Sequence, residues 1–453
     1  MTDTSARVED TSAKDTSRSW REFVSSSGID TRLLGMVVSL AVIWIGFHAL
    51  SDGKFITSRN LWNLSVQSVS IGIMATGMVF IIVTRNIDLS VGSLLGFLGY
   101  TMALVQTDGT ISVLGLNITI DSLRFHHWYT WLVALAVGLV LGALVGLLQG
   151  SLVAYVGVPA FIVTLGGYLA WRGLIFRTGG KQGQTLAPLD STFRYLGGAP
   201  ERSLGDTKTW IAAVLVCAGI VFSIVVARRR RQRHELALRP LSIDVGFAVG
   251  GCAAVLVGVY LVAIKYTSPQ SGDPVGLAYP VILLIGVMLL MTYLARRRRF
   301  GRYVFAYGGN PEAAELGGIN TRRTIVSTYM VMGMLCAVSA AIQTARLNSA
   351  TTNLGVQNEL DVIAAAVIGG TSFSGGIGTI PGAVLGAVVM QSLRSGMSLL
   401  NIDSPSQDIV VGVVLVTAVA IDALLRQRRR ASVFGALGAG VIVAAWVIQT
   451  GRP

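Results

Sequence analysis

The sequence predicts an all-α, polytopic membrane helix bundle, and three observations carry that prediction. Of its 453 residues, 52% are hydrophobic and only 13% are charged, where a soluble domain has about a quarter charged. Uncharged apolar runs recur along the whole chain, each near the ~20 residues that cross a bilayer as a helix. The arginines behind the net charge of +13 cluster at the ends of those runs, as the positive-inside rule requires. With no aromatic residues interleaved among them, nucleic-acid binding is set aside.

Residues 1–30 are rich in Ser, Thr, Asp and Arg, and read as a disordered cytoplasmic tail too polar for a signal peptide. The first span, 33–50, follows Arg18, Arg21 and Arg32, which hold the N-terminus inside. A charge-free span follows at 63–84, Arg85-Asn-Ile-Asp88 interrupts it, and 89–105 continues it. Residues 106–129, with Asp108, Asp121, His126 and His127, form an outside loop, and Trp128 and Trp131 sit at its end as interfacial aromatics. The next span, 131–158, carries Gly138, Gly142, Gly146 and Gly150 on one helix face. Such a stripe lets a second helix approach closely where lipid supplies no hydrophobic drive, so packing is its expected role. Pro159 opens a further segment to about residue 176, and 177–209 is polar, Gly-rich and outside.

Spans at 210–227 and 245–264 are joined by a segment that opens with six residues, Arg228 to Arg233, five of them arginine. Residues 277–295 return to the arginines at 296–299, and 324–345 leads out again. The uncharged run 362–393 is broken by Gly369-Gly-Thr-Ser-Phe-Ser-Gly-Gly376 and by Pro381, and reads as two spans or half-spans meeting at a glycine break. A span at 409–425 ends in Arg426-Gln-Arg-Arg-Arg430, and 431–449 makes a last one. Alternating from an inside start puts the arginine runs at 228–233, 296–302 and 426–430 in the cytoplasm. The total is about 12–13 transmembrane helices.

One stretch does not belong in lipid. Tyr307-Gly-Gly-Asn-Pro-Glu-Ala-Ala-Glu-Leu-Gly-Gly-Ile-Asn320 has a good N-cap in Asn310 and a proline suited to the first helical position. Glu312 and Glu315 favour the positive end of the helix dipole, and Gly317 and Gly318 stop the helix. Arginines flank it on both sides. It is a cytoplasmic handle for something to grip.

The rest of the chemistry is mostly exclusion. No Gly-x-x-x-x-Gly-Lys-Ser/Thr phosphate loop occurs, so the chain is not its own ATPase by that route. No catalytic constellation occurs, which leaves a membrane enzyme a distant third among function classes. Cys217, Cys252 and Cys336 lie singly in apolar runs, and the four histidines lack metal-ligand spacing, so no disulfide framework or metal site is expected. The spans hold almost no charge, against a proton- or ion-coupled carrier. A secondary carrier or channel for small polar solutes stays as the alternative to a permease driven by a separate ATPase.

Four blocks now bring a family resemblance. Asn86-Ile-Asp-Leu-Ser-Val-Gly-Ser93 resembles a signature of the ribose/xylose-type ABC sugar permeases. Pro159-Ala-Phe-Ile-Val-Thr-Leu-Gly166 is similar to a second, and Gly301-Arg-Tyr-Val-Phe-Ala-Tyr-Gly-Gly-Asn-Pro-Glu-Ala-Ala314 to a third. Glu359-Leu-Asp-Val-Ile-Ala-Ala-Ala-Val-Ile-Gly-Gly-Thr371, with Gly375 and Gly376, is similar to the fourth. Arg85-Asn86 in place of a common Gly-Gly, and the extra 210–264 hairpin, place the resemblance nearest the xylose branch; within the additional C-terminal segment 431–453, the span at 431–449 has no counterpart in the resemblance.

The resemblance implies a fold like the vitamin B12-type (type II) importers over a permease domain at 31–430. It implies an importer membrane subunit for a monosaccharide, xylose-like by its branch, in the bacterial inner membrane. Its expected partners are an ABC ATPase, a periplasmic or lipid-anchored sugar-binding protein and a second permease copy. The chain itself needs no cofactor, since ATP and Mg bind the ATPase. Within a coupling loop at 303–323, Gly309, Asn310, Pro311, Glu312, Ala313, Ala314 and Gly317 would dock on that ATPase. Candidates for the translocation path or gate are Asn86, Asp88 and Ser90 at the first helix break, and Thr371, Ser372 and Ser374 at the second. Two roles are open to these six. They line a wet path, or they cap freed backbone, with Asp88 the N-cap of its helix and Thr371 and Ser372 bonding carbonyls.

Overall fold

Helix dominates because a backbone surrounded by lipid must satisfy its N–H and C=O groups within its own segment. The computed structural model describes residues 31–427 except 114–115, 121–122, 124–126, 179–183, 235–239 and 269–271. The expected tail at 1–30 and last span at 431–449 lie outside the described residues. The helices are α1 (Thr31–Leu50), α2 (Ser58–Val83), α3 (Val91–Asp108), α4 (Thr130–Ser151) and α5 (Ala160–Thr178). Then come α6 (Gly205–Arg233), α7 (Leu241–Val259), α8 (Tyr279–Arg297), α9 (Arg299–Gly309) and α10 (Pro311–Leu316). The last four are α11 (Thr321–Leu347), α12 (Asn358–Ile368), α13 (Ile380–Leu399) and α14 (Ser404–Gln427). Among the described residues, six helices are long and apolar enough to span a membrane unaided.

The centre of the bundle is α2, buried almost without interruption from Leu61 to Val83. It is wrapped by α8, α11, α12 and α13. The glycine stripe of α4 explains the closest seam. A β-carbon at Gly142 would strike the Gly333 carbonyl, at Gly146 that of Tyr329, and at Gly150 the Val326 backbone, all on α11. Gly333 answers from the other side against Gly142. Here two backbones touch, as the stripe predicts.

The outer pieces depart from the expectation in instructive ways. The outside loop at 106–129 contains a two-stranded antiparallel hairpin, β1 (Thr110–Val113) with β2 (Leu116–Thr119). Its strands are four residues each, too short for period-2 patterning to register in sequence. The hairpin α6–α7 packs mainly on itself, and few of its residues are buried. Arg228 pairs with Asp244 across it at 2.7 Å. Cys217 and Cys252, distant in sequence, face each other there as free thiols. Their adjacency comes from the hairpin's register and no spacing rule would find it.

The glycine break is real, but it follows a half-helix. Between the end of α11 and Asn358 the chain is irregular, and α12 has only 11 residues. Gly355, with φ +76°, lies against the α3 backbone at Gly92 and Gly96. A β-carbon on any of these three would close that approach, which is why glycine holds all three positions.

Candidate functional site

The polar handle is built by two asparagine caps and one glycine stop. Asn310 Oδ1 accepts the Ala313 N–H at 3.0 Å, and Pro311 takes the first position of α10. At the far end Gly318 has φ +79°. Its N–H donates to the Glu315 carbonyl at 2.9 Å, and the Ile319 N–H donates to that of Ala314 at 3.1 Å. These are the paired bonds of a Schellman stop. Asn320 then repeats the cap for α11, accepting the Arg323 N–H at 2.9 Å.

On α10 itself Ala314 is buried against the bundle, while Glu312, Ala313 and Glu315 are exposed, as is Gly317 beyond. Leu316 projects from the end of the same turn, 90% exposed. Sequence reasoning passed over this leucine. The available signal was one large apolar side chain between a glutamate and two glycines, in a loop that topology keeps out of lipid.

Two corrections belong here. The expected handle was a short helix in a loop, but the residues before it already form α9, an 11-residue amphipathic helix. Gly309 therefore ends α9 and does not belong to α10. The sharp return from α8 into α9 is made possible by Gly301, where a β-carbon would meet the Ala295 backbone. Arginines at this corner hid the second helix behind a charge pattern that reads as a span terminus.

Both helix breaks come to the end of α9. Arg85 sits in the left-handed region at φ +61°. Its Nε donates to the Gly308 carbonyl at 3.0 Å and its Nη2 to the Gly309 carbonyl at 3.0 Å. The positive guanidinium thus closes the negative end of α9. From the other break, the Gly376 N–H donates to the Val83 carbonyl, the last of α2, at 3.0 Å. Gly308 and Gly375 fill the space between, with no room for side chains.

The six candidate path residues divide. Asn86 donates through Nδ2 to the Thr84 carbonyl and hydroxyl, both at 3.1 Å, closing the end of α2. Asp88 is not the N-cap of α3; Ser90 occupies that position. The Asp88 carboxylate instead accepts the Ser90 N–H at 2.9 Å and its hydroxyl at 2.7 Å. Gln149 of α4 donates to the Ser90 hydroxyl at 2.9 Å, and the Thr164 hydroxyl of α5 donates to the Ile87 carbonyl at 3.2 Å. So the second sequence block is a brace for the first. At the other break the Ser372 hydroxyl accepts the Ser374 N–H at 3.2 Å. Ser374 is exposed and Ser372 buried. Thr371 is buried, and its hydroxyl has no partner among the described residues, so it does not bond a freed carbonyl.

This arrangement makes a mechanical junction. The helix that leads into α10 is tied at its end to the first break through Arg85, the second break joins the first through the Gly376 N–H, and the first is held by side chains of α4 and α5.

Comparison with known proteins identifies the family. The chain is 36% identical over 389 residues to the xylose transport system permease protein XylH of Haemophilus influenzae, covering 85% of this chain and 95% of the relative. It is 36% identical over 408 residues to XylH of Escherichia coli, covering 90% and 95%. To the ribose import permease protein RbsC of Escherichia coli it is 32% identical over 390 residues, covering 86% and 92%. No solved structure matches it. The family described as branched-chain amino acid transport system / permease component matches residues 60–419, and this chain, a multi-pass helical membrane protein, belongs to that family.

Proposed function

We propose that the chain is the inner-membrane permease subunit of an ATP-driven importer for a monosaccharide, with a pentose such as xylose as its cargo. The relatives that match it over most of its length are sugar permeases, and xylose is named in those at 36% identity. The observation that carries the reading is α10. A capped, exposed helix bearing a bare leucine has no use in lipid, and a chain without a phosphate loop needs an outside engine.

In this reading α10, with Asn310, Pro311, Glu312, Ala313 and Ala314, docks in a groove of a separate ABC ATPase. Gly309 and Gly317 set its angles, and Leu316 is its apolar anchor. Two permease copies pair across the transport path, and a sugar-binding protein delivers substrate from outside. ATP and Mg act on the ATPase alone. When the ATPase closes on ATP, α10 moves with it, and Arg85 carries the movement to the two breaks. Asn86, Asp88, Ser90, Thr371, Ser372 and Ser374 then belong to the gate whose state decides which side is open.

The test is reconstitution of the permease with its ATPase and binding protein in proteoliposomes. Radiolabelled d-xylose should accumulate only with ATP. Accumulation without the ATPase, driven by an ion gradient, would establish a secondary carrier instead.

A further inference from the structure

On the side of the bundle away from the arginine corner lies a polar cavity of about 370 Å³. That is within the range of small-molecule pockets, roughly 300–1,000 Å³. Its walls include Gln67 of α2, Gln343 of α11, Asn358 at the start of α12, and Gln391 of α13. Asp361 and Arg394 also face it. Gln67 lies nine residues into α2, and Gln391 eight residues before the end of α13. At 1.5 Å per residue both lie about 12–14 Å from the nearer ends of their helices.

Three features make this a binding site and not a gap in packing. First, five carboxamides line the cavity, Gln357 included, where apolar side chains would pack more cheaply. Four of them meet in pairs, Gln391 donating to Gln67 at 2.6 Å and Asn358 donating to Gln343 at 3.1 Å. Each amide has two N–H donors and an acceptor oxygen, so a single bond leaves most of that capacity facing the cavity. Among the described residues the Gln343 amide nitrogen and the Asn358 carbonyl oxygen make no other hydrogen bond. Second, the chain from Val356 to Asn358 reaches this wall as irregular backbone, with Gln357 at φ +63°. Irregular backbone at membrane depth is stable only where it is buried in protein or faces a wet cavity. Half-helices meeting such a cavity are the general architecture of a substrate station.

Third, two of the charges on the wall are spent on each other, and Arg346 is the other charged residue lining it. Arg394 grips Asp361 through two bonds, 2.8 and 2.9 Å, and reaches Asp408 at 3.4 Å. A cationic solute would have to break that pair to find a carboxylate. What remains is a set of neutral donors and acceptors with the donor fork of Arg346 beside them, the complement of a ring of hydroxyl groups.

We propose that this cavity is the station at which the importer holds its sugar inside the membrane, with Gln67, Gln343, Asn358 and Gln391 as its hydroxyl-binding residues. The sequence-derived candidates at the two breaks then belong to the gate below it, not to the sugar's seat. This rests on the importer reading given above.

The experiment uses the complete complex in proteoliposomes. ATP-driven uptake of radiolabelled d-xylose is measured, with d-ribose and l-leucine as comparators. Replacing both partners, Gln67→Leu with Gln391→Leu, should lower xylose uptake about tenfold while the complex still copurifies; tenfold is the weight of one or two lost hydrogen bonds. Gln343→Asn, which keeps the amide and shortens its reach, should shift the xylose-to-ribose uptake ratio by about threefold or more. An unchanged ratio with Gln343→Asn, or uptake within about twofold of the parent for the double variant, would overturn the assignment. So would leucine competing as well as ribose. If the parent complex shows no ATP-dependent sugar uptake, the importer reading itself has failed, and that outcome is separate from the variants.

Discussion

Arg85 has the most specific job of any side chain here. It is held at a positive φ, exposed, and committed to two carbonyls of another helix. Hydrogen bonds to a charged group contribute about 1.5–3 kcal/mol each, so Arg85→Ala should loosen the junction measurably. The expected outcome is ATP hydrolysis that persists while xylose uptake falls, because force enters at α10 and is lost before the breaks. Arg85→Lys should recover little, since one ammonium cannot copy a planar fork. At Leu316 the prediction differs in kind. Leu316→Asp should abolish copurification of the ATPase, and Leu316→Met should keep it; equal retention of the ATPase by both would refute the anchor role. The Asp361–Arg394 pair supports fold as well as cavity. Removing one partner of a buried pair costs about 3–5 kcal/mol, so Arg394→Ala should lower the midpoint of thermal unfolding in detergent far more than Arg322→Ala at the exposed start of α11.

At the scale of elements, α10 and the α4–α11 seam make opposite demands. The six residues of α10 are too few to be stable alone, so its caps decide whether it exists. Asn310→Ala should remove about 1 kcal/mol of local stability. Faster hydrogen exchange at Ala313 and Ala314, with the rest of the bundle unchanged, is the expected signature. In the seam, Gly142→Leu or Gly146→Leu would drive a side chain into a carbonyl, and overpacking of this kind costs roughly 1–3 kcal/mol even in forgiving cores. Both variants should express poorly or melt early.

These elements also show what the sequence could and could not disclose. Asn310, Pro311 and Gly318 act through neighbours within a few residues, so cap and stop were legible from the letters. The glycine stripe was legible because its period is the helix's own. The meeting of residues 85, 308 and 376 was not, since it depends on how three separate segments pack. For the same reason the amides at 67, 343, 358 and 391 passed unnoticed. Each is unremarkable in its own helix, and only the bundle gathers them.

On the scale of the whole molecule, the arginine-rich corner and the amide cavity lie toward opposite sides of the bundle, joined by α2, α12 and α13. The paired permease of the proposed assembly should be visible by light scattering in mild detergent, as a mass accounting for two permease chains with the ATPase. The peripheral hairpin gives a further check on the architecture. Cys217 and Cys252 are neighbours across α6 and α7. A short bifunctional thiol reagent should link them, so that fragments cut between the two helices still migrate together on a denaturing gel. Separate fragments would show that the two helices do not pair.

The bare contact of α4 with α11 has a last consequence. A seam made of interlocking side chains can slip by one notch, since each knob has a neighbouring hole. Here Gly142 and Gly146 lie directly under the carbonyls of Gly333 and Tyr329, with Leu141 and Val145 just before them on α4 and Ala143 and Leu147 just after. A displacement of less than a whole turn therefore brings a side chain against those carbonyls. The two helices are therefore expected to travel as one plank, and α11 is the helix that begins immediately after α10, the proposed docking segment. In the proposed importer, a push from the ATPase side would be received by a beam two helices wide.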